Sequence, residues 1–463
     1  MSTKDNDKYI FCEIIEELSF ADIDKAAIDY ARYDLIDTLG VSLAGATSPG
    51  IDEIITLHKA WEGKPESSVW GRKCKLPAPS AAMVNGTMAH ALDFDDTLDF
   101  AGNIHIGASV IPAVLAMADR VGGVSGKDLL TGIAAGMEVS SRLAEIAKDD
   151  IGWHRTGAFG IFGATVAACK IMGMEAPIIR EALGIALSQA SGTRQCILDG
   201  ALTKRLQAGF AASNAVTSAI YAEAGLTGAQ DPFWGKYGFF EMYQGGKYDR
   251  SKDLSRLGEK FLITELSFKP YPCGRPTHKF VLAAIRAYEE MVFRNLALGQ
   301  ISKISVQCSK QVHERHMHNS NPDRVPENQI EAQFHVGFLI ASALVNGKFG
   351  LSELENIGQE AALSLMDVIE WDPVGSNYSG DIVGVLCVEY SSGDNIEIDI
   401  SESSVAQSPS TVGKLVADKF ESCIQYAVGT PGLKISEQLL EVMFSIEDMQ
   451  NSTELTTKLL EIN

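Results

Sequence analysis

Histidine, carboxylates and a threonine crowd one short segment of the chain. In MAHALDFDDT, residues 88–97, His90, Asp93, Asp95, Asp96 and Thr97 follow the small-residue stretch SAAMVNGT. If the helix read through that stretch continues, His90, Asp93 and Thr97 share one face, because residues three and four apart are neighbours. Carboxylates beside an imidazole suit proton transfer, and the same group also suits a divalent cation or a solvated helix end. Two further histidines stand just before small-residue helix starts: His105 in GNIHIGASVIPAVLA and His154 in GWHRTGAFGIFGAT. Either one alone reads as a core histidine with a satisfied ring. The recurrence of the arrangement makes them acid and base candidates.

Cations gather in two other places. Lys204 and Arg205 occur in DGALTKRLQAGFAAS, and Lys269, Arg275, His278 and Lys279 occur around three prolines in SFKPYPCGRPTHKF. A charged rim explains the Lys204 pair taken alone. The chain, however, sets 39 Lys plus Arg against 60 Asp plus Glu, a net charge of -21. Clustered cations in such a protein point to an anionic ligand, since ammonium and guanidinium groups make charge-assisted hydrogen bonds to carboxylates. The same net charge repels phosphate backbones and anionic lipid, so neither nucleic acid nor a membrane surface is an expected partner.

Competing motifs are weaker. His313, His316 and His318 in HERHMH begin with a spacing of three, not the four of a zincin, and read as an exposed loop. Gly157, Gly160 and Gly163 lack the spacing and the preceding strand of a nucleotide loop, and close helix packing accounts for them. The eight cysteines form no C-x-x-C pair and read as reduced, mostly buried thiols. Neither a metal nor an organic cofactor is expected. The acidic N-terminus is no signal peptide and no apolar run is long enough to span a bilayer, which reads as a cytoplasmic protein.

The elements that position these residues divide in two. A length of 463 residues, 46% of them hydrophobic, is enough for two cores. Helical spacing runs through residues 20–44, and Ala- and Gly-rich helices are predicted over 106–121, 126–147, 157–172 and 206–224. Residues 301–307 (ISKISVQ) alternate as a strand, while 383–390 and 396–400 flank SSGDN as a hairpin. Between them, 331–345 and 351–370 read as helices, and helix returns at 411–427 and 436–444. The expected architecture is mainly α: a large all-helical domain over 1–266, completed by 401–463, with a smaller α+β lid domain over 267–400.

Taken together and in order, HALDFDDT, the His105 segment ending in VIPAVLA, GWHRTGAFG, TKRLQAG and KPYPCGRPTH resemble the MmgE/PrpD family over essentially the whole chain. The resemblance implies a helical domain with an α+β lid, a homodimer, and dehydration, decarboxylation or epimerisation of a small polycarboxylate without a required cofactor. It places active-site residues on Asp93, Thr97, His105, His154, Lys204 and Lys269, with Thr97 binding substrate and the others catalytic, and the cations of SFKPYPCGRPTHKF add Arg275 and His278 as expected substrate contacts. Two positions depart from the pattern: Gly274 stands where the family's decarboxylases have a lid-loop histidine, and Ile106 follows His105 where many members have proline. The expected chemistry is proton abstraction next to a carboxylate followed by elimination, with an epimerase or decarboxylase as the nearest alternatives. Two readings of other classes are a metal hydratase and a non-catalytic organic-acid binder, the latter having no use for the histidines.

Overall fold

The computed structural model describes residues 9–148, 151–309, 325–374, 383–401, 409–429 and 431–462. The histidines of HERHMH lie outside them. The chain is mainly α-helical and divides into two compact units. One comprises Met1–Gln195, Leu202–Lys269 and Pro409–Asn463, the other Cys196–Ala201 and Pro270–Ser408. Among the described residues no helix is long and apolar enough to cross a membrane, and no cysteine is in a disulfide.

The first unit is built on long helices: α1 (Lys25–Ala44), α2 (Ala78–Ala89), α3 (Gly107–Arg120), α4 (Gly126–Ile146), α5 (Arg155–Ile171) and α6 (Thr203–Glu223). Asp24 starts α1 by accepting the Ala27 N–H, and Ser125 starts α4 by accepting that of Asp128. These helices are apolar on nearly every face. In α1 alone, Asp34, Asp37 and Thr38 are as deeply buried as Leu35 and Leu39. Such a helix sits in the middle of its layer, and its polar residues need internal partners. Small residues let the backbones approach closely. A Cβ on Gly163 of α5 would lie 2.2 Å from the Gly136 carbonyl oxygen of α4. The glycine triplet of α5 thus serves helix packing, as its spacing indicates. One short hairpin, β1 (Ser67–Val69) with β2 (Cys74–Leu76), interrupts the helices.

The second unit wraps helices α7 (His278–Phe293) and α8 (Val336–Asn346) on a four-stranded sheet. Its strands are β3 (Ile301–Ser309), β4 (Ile369–Val374), β5 (Val383–Tyr390) and β6 (Asn395–Asp399), in the order β4-β3-β5-β6. The hairpin forms with Val388 opposite Ile396. The helix expected over 331–345 is broken at His335, whose Nδ1 accepts the Phe338 N–H and starts α8. The stretch 351–370 also differs from expectation. It holds two short helices, Leu351–Glu355 and Glu360–Met366, after which the chain turns into β4, parallel to β3 with Ile304 opposite Ile369. Ile369 and Trp371 prefer a pleated strand, and pairing with β3 overrides a periodicity that seven residues are too few to enforce. Helix α9 (Pro409–Val428) returns to the first unit and packs against α1.

Candidate active site

Helix α2 stops at Ala89, with His90 as its C-cap, so the shared helical face expected for His90, Asp93 and Thr97 does not form. A tight turn carries them instead. Asp93 has φ +50°, a left-handed conformation that costs an L-residue about 1–2 kcal/mol. Packing on every side holds it there: His90, Asp93, Asp95, Asp96 and Thr97 are all buried.

Three isolated two-residue pairings, two of them at this turn, set the frame of the site. Thr97 and Ser267 exchange N–H···O bonds of 2.8 Å, which sets Lys269, two residues further on, beside Asp93. The Leu98 N–H donates to Ile104 O at 2.9 Å and brings His105 under the turn. Trp153 pairs with Thr193, and the His154 N–H donates to Gly192 O at 3.1 Å. His105 and His154 then sit immediately before α3 and α5, as their sequence context suggests.

Within this frame three imidazoles stack. The His90 ring centroid is 5.1 Å from that of His105 and 5.3 Å from that of His154. Each ring is oriented by a partner at Nδ1: Asp95 Oδ2 at 2.6 Å for His90, the Asp96 carbonyl at 2.5 Å for His105, and Gln207 Oε1 at 2.7 Å for His154. Gln207 cannot turn its amide round, because its Nε2 already donates to Thr193 O at 3.0 Å. All three acceptors fix the proton on Nδ1 and leave each Nε2 as the basic nitrogen. Burial holds all three rings well below the ordinary histidine value, aided by Lys204 and Lys269 at His90, by Lys269 at His105, and by the His90 ring and Lys204 at His154. They are neutral near pH 7, as bases must be.

Beside the imidazoles, Asp93 pairs with two ammonium groups. Lys204, from the first turn of α6, bonds its Oδ1, and Lys269 lies 3.3 Å from Oδ2 while donating to the Asp93 carbonyl at 2.9 Å. Both lysines are buried, as is Arg205, which donates to Pro49 O. The rim reading of the TKR segment is thereby overturned. Burial works to raise the Asp93 carboxyl, yet Lys204 and Lys269 hold it well below the usual carboxylate range. The carboxylate behind an imidazole is Asp95, while Asp93 is engaged by the two lysines. Asp96 performs a third task, accepting the Ile106 and Gly107 N–H groups at 3.0 Å each and capping α3.

One ligand atom each from His90, Asp93 and Asp95 lie within 4.8 Å of one another, a spacing that would admit a cation. The fit fails on charge: Asp93 already carries two ammonium groups, and a divalent ion there would meet both at contact range. Arg275 and His278 belong to the second unit. Arg275 Nη1 lies 3.4 Å from His278 Nδ1, while His278 Nε2 lies 3.2 Å from Cys273 O, to which it donates.

Local sequence reasoning passes over two groups that the structure adds. Gln207 stands three residues after Lys204 in TKRLQAG and shares its helical face, a signal that was available. Lys419 gives no such signal. It comes from α9, pairs with Asp37 of α1 at 2.7 Å, donates to the Phe94 carbonyl and covers the Phe94 ring.

Residues 10–251, more than half of the chain, match the MmgE/PrpD N-terminal domain, and the chain belongs to the MmgE/PrpD family. It is 27% identical over 413 residues to a cis-aconitate decarboxylase-like protein of Aspergillus oryzae, covering 83% of this chain and 84% of that protein. It is 30% identical over 292 residues to the cis-aconitate decarboxylase of Homo sapiens, 61% of this chain and 60% of that one. Against the 2-methylcitrate dehydratase of Escherichia coli O157:H7 the identity is 24% over 360 residues, 74% and 72% of the two chains. This protein is an enzyme of that family.

Proposed function

We propose that this enzyme is a cofactor-independent lyase that takes a proton from the carbon next to a carboxylate of a small di- or tricarboxylate and then expels a β-leaving group. The observation that carries the reading is the juxtaposition of two buried ammonium groups with three buried, neutral imidazoles. The chemistry asks for both. A base must reach an acidic C–H bond, and positive charge must meet the enediolate that forms as the proton leaves. His105 and His154 serve as acid–base groups, each with its tautomer fixed at Nδ1. Lys204 and Lys269 stabilise the developing charge, Asp93 holds the two lysines together, and the Thr97 hydroxyl binds substrate. Arg275 and His278 are the further carboxylate ligands, and the enzyme works as a cytoplasmic homodimer.

Decarboxylation is the second reading, favoured by the names of the relatives with the higher identities, 27% and 30% against 24% for the dehydratase. A proton-NMR screen in deuterated water, with 2-methylcitrate, cis-aconitate and other di- and tricarboxylates, separates the outcomes. Elimination gives an alkene and water, decarboxylation releases CO2 and incorporates deuterium, and epimerisation exchanges one proton without net loss. If the wild-type protein neither consumes nor exchanges any of them, the lyase reading is wrong.

A further inference from the structure

The three imidazoles are not equivalent. His105 and His154 set Nδ1 against neutral oxygens, the Asp96 carbonyl and the Gln207 amide, whereas His90 sets it against the Asp95 carboxylate at 2.6 Å. A neutral acceptor only fixes a tautomer. A carboxylate also stabilises the imidazolium that forms when the opposite nitrogen takes up a proton. That opposite nitrogen, Nε2 of His90, is buried and has no hydrogen-bond partner among the described residues, and the same is true of the Thr97 hydroxyl. Native folds rarely leave such atoms unpaired, and on the turn that carries the lysine-paired Asp93 each is open to a ligand. The charged and titratable groups around His90 are Asp93 and Asp95 on its own turn, His105 and His154 against its ring, and Lys204, Lys269 and Arg205.

The geometry points to His90 as the base that receives the substrate proton, with Asp95 as its counter-charge. This rests on the lyase reading above and assigns a step within it. The C–H bond breaks, the proton bonds to His90 Nε2, and the electron pair moves into the adjacent carboxylate as an enediolate beside Lys204 and Lys269. Nδ1 keeps its own proton, bonded to Asp95. As the enediolate pair forms the C=C bond and the C–O bond breaks, the abstracted proton passes from the imidazolium to the departing hydroxyl by way of His105 or His154, whose rings lie 5.1 and 5.3 Å from that of His90; water leaves and all the rings are again neutral.

His90→Gln and Asp95→Asn in the full-length chain test the assignment, with 2-methylcitrate and cis-aconitate as probes. His90→Gln should lower kcat by about 10²- to 10⁴-fold, with KM little changed. Asp95→Asn keeps the shape and removes the charge. It should lower kcat and move the acid limb of the kcat/KM pH profile to lower pH, because the imidazole becomes less basic. A merely structural role would reduce the folded fraction and leave that limb in place. If His90→Gln does not fold, His90→Asn takes its place, because Asp95 also lies 3.9 Å from His105 Nδ1 and its removal makes both rings less basic. A folded His90→Gln with wild-type kcat, or an unmoved limb in Asp95→Asn, overturns the assignment and leaves the lyase reading standing. A wild type inert toward both probes and toward the other di- and tricarboxylates of the screen overturns the assignment and the lyase reading together.

Discussion

Replacing Asp93 with asparagine keeps the shape of the side chain and removes a charge that pairs with two buried lysines. At an effective dielectric of 20, two unit charges 3.3 Å apart, the Lys269–Asp93 separation, attract by about 5 kcal/mol. Desolvation already offsets much of that, and breaking one side of a buried pair costs about 3–5 kcal/mol. Asp93→Asn should therefore lose about 3–5 kcal/mol of unfolding free energy at pH 7, read from urea unfolding of the first unit. The pH dependence gives a sharper check. Burial already lowers the Lys204 pKa and Asp93 opposes that shift, so in the variant Lys204 releases its proton nearer neutrality. The folded state then binds one proton fewer than the unfolded chain, whose lysines titrate near 10.4, and stability rises with pH by up to about 1.4 kcal/mol per unit in that window. The deficit against wild type should thus shrink as the pH is raised from neutrality. A deficit under about 1 kcal/mol, or one that grows with pH, would show that Asp93 does not neutralise this pair.

Other consequences are simpler to check. Gly163→Ala drives a Cβ to 2.2 Å from a backbone oxygen of α4; it should lower stability by about 1–3 kcal/mol despite better helix propensity, and an unchanged melting temperature would refute the close packing. His105→Ala and His154→Ala should each fold and lose about 10²- to 10⁴-fold in turnover, and full activity in both would remove them from the mechanism. Dialysis against EDTA should leave activity intact, whereas loss with recovery on adding a divalent ion would restore the metal hydratase. The chain should sediment at about twice its mass of 49.9 kDa if the homodimer expected from the family forms, and a monomer at micromolar concentration would exclude it.

Much of this architecture is legible in the sequence because its signals are local. The long helices of the first unit announce themselves through small residues at helical spacing, and the β5–β6 hairpin through alternation around SSGDN. Strand β4 is hidden because IEWDPV follows a helical-looking run without a break, and its partner lies more than sixty residues back in β3. The site shows the same division. His105, His154, Lys204 and Lys269 stand out by residue type and setting, but their mutual geometry depends on pairings such as Thr97 with Ser267 that leave no periodic trace. Local context also cannot tell which of three neighbouring aspartates faces a lysine, an imidazole or a helix end. Only the left-handed turn at Asp93 sorts them.

The hold of Lys419 on Asp37 and on the Phe94 carbonyl has a consequence for how the enzyme is made. The turn with the reacting groups is translated early, but its anchor comes from a helix made only after the whole second unit, 270–408, has left the ribosome. In the folded protein burial pushes the Asp37 carboxyl up to about 6 even with the Lys419 ammonium beside it. Contacts across more than three hundred residues form late and slowly, because closing the loop must come before any gain from the contact. Docking of α9 on the reacting turn is therefore expected to be a late step of folding.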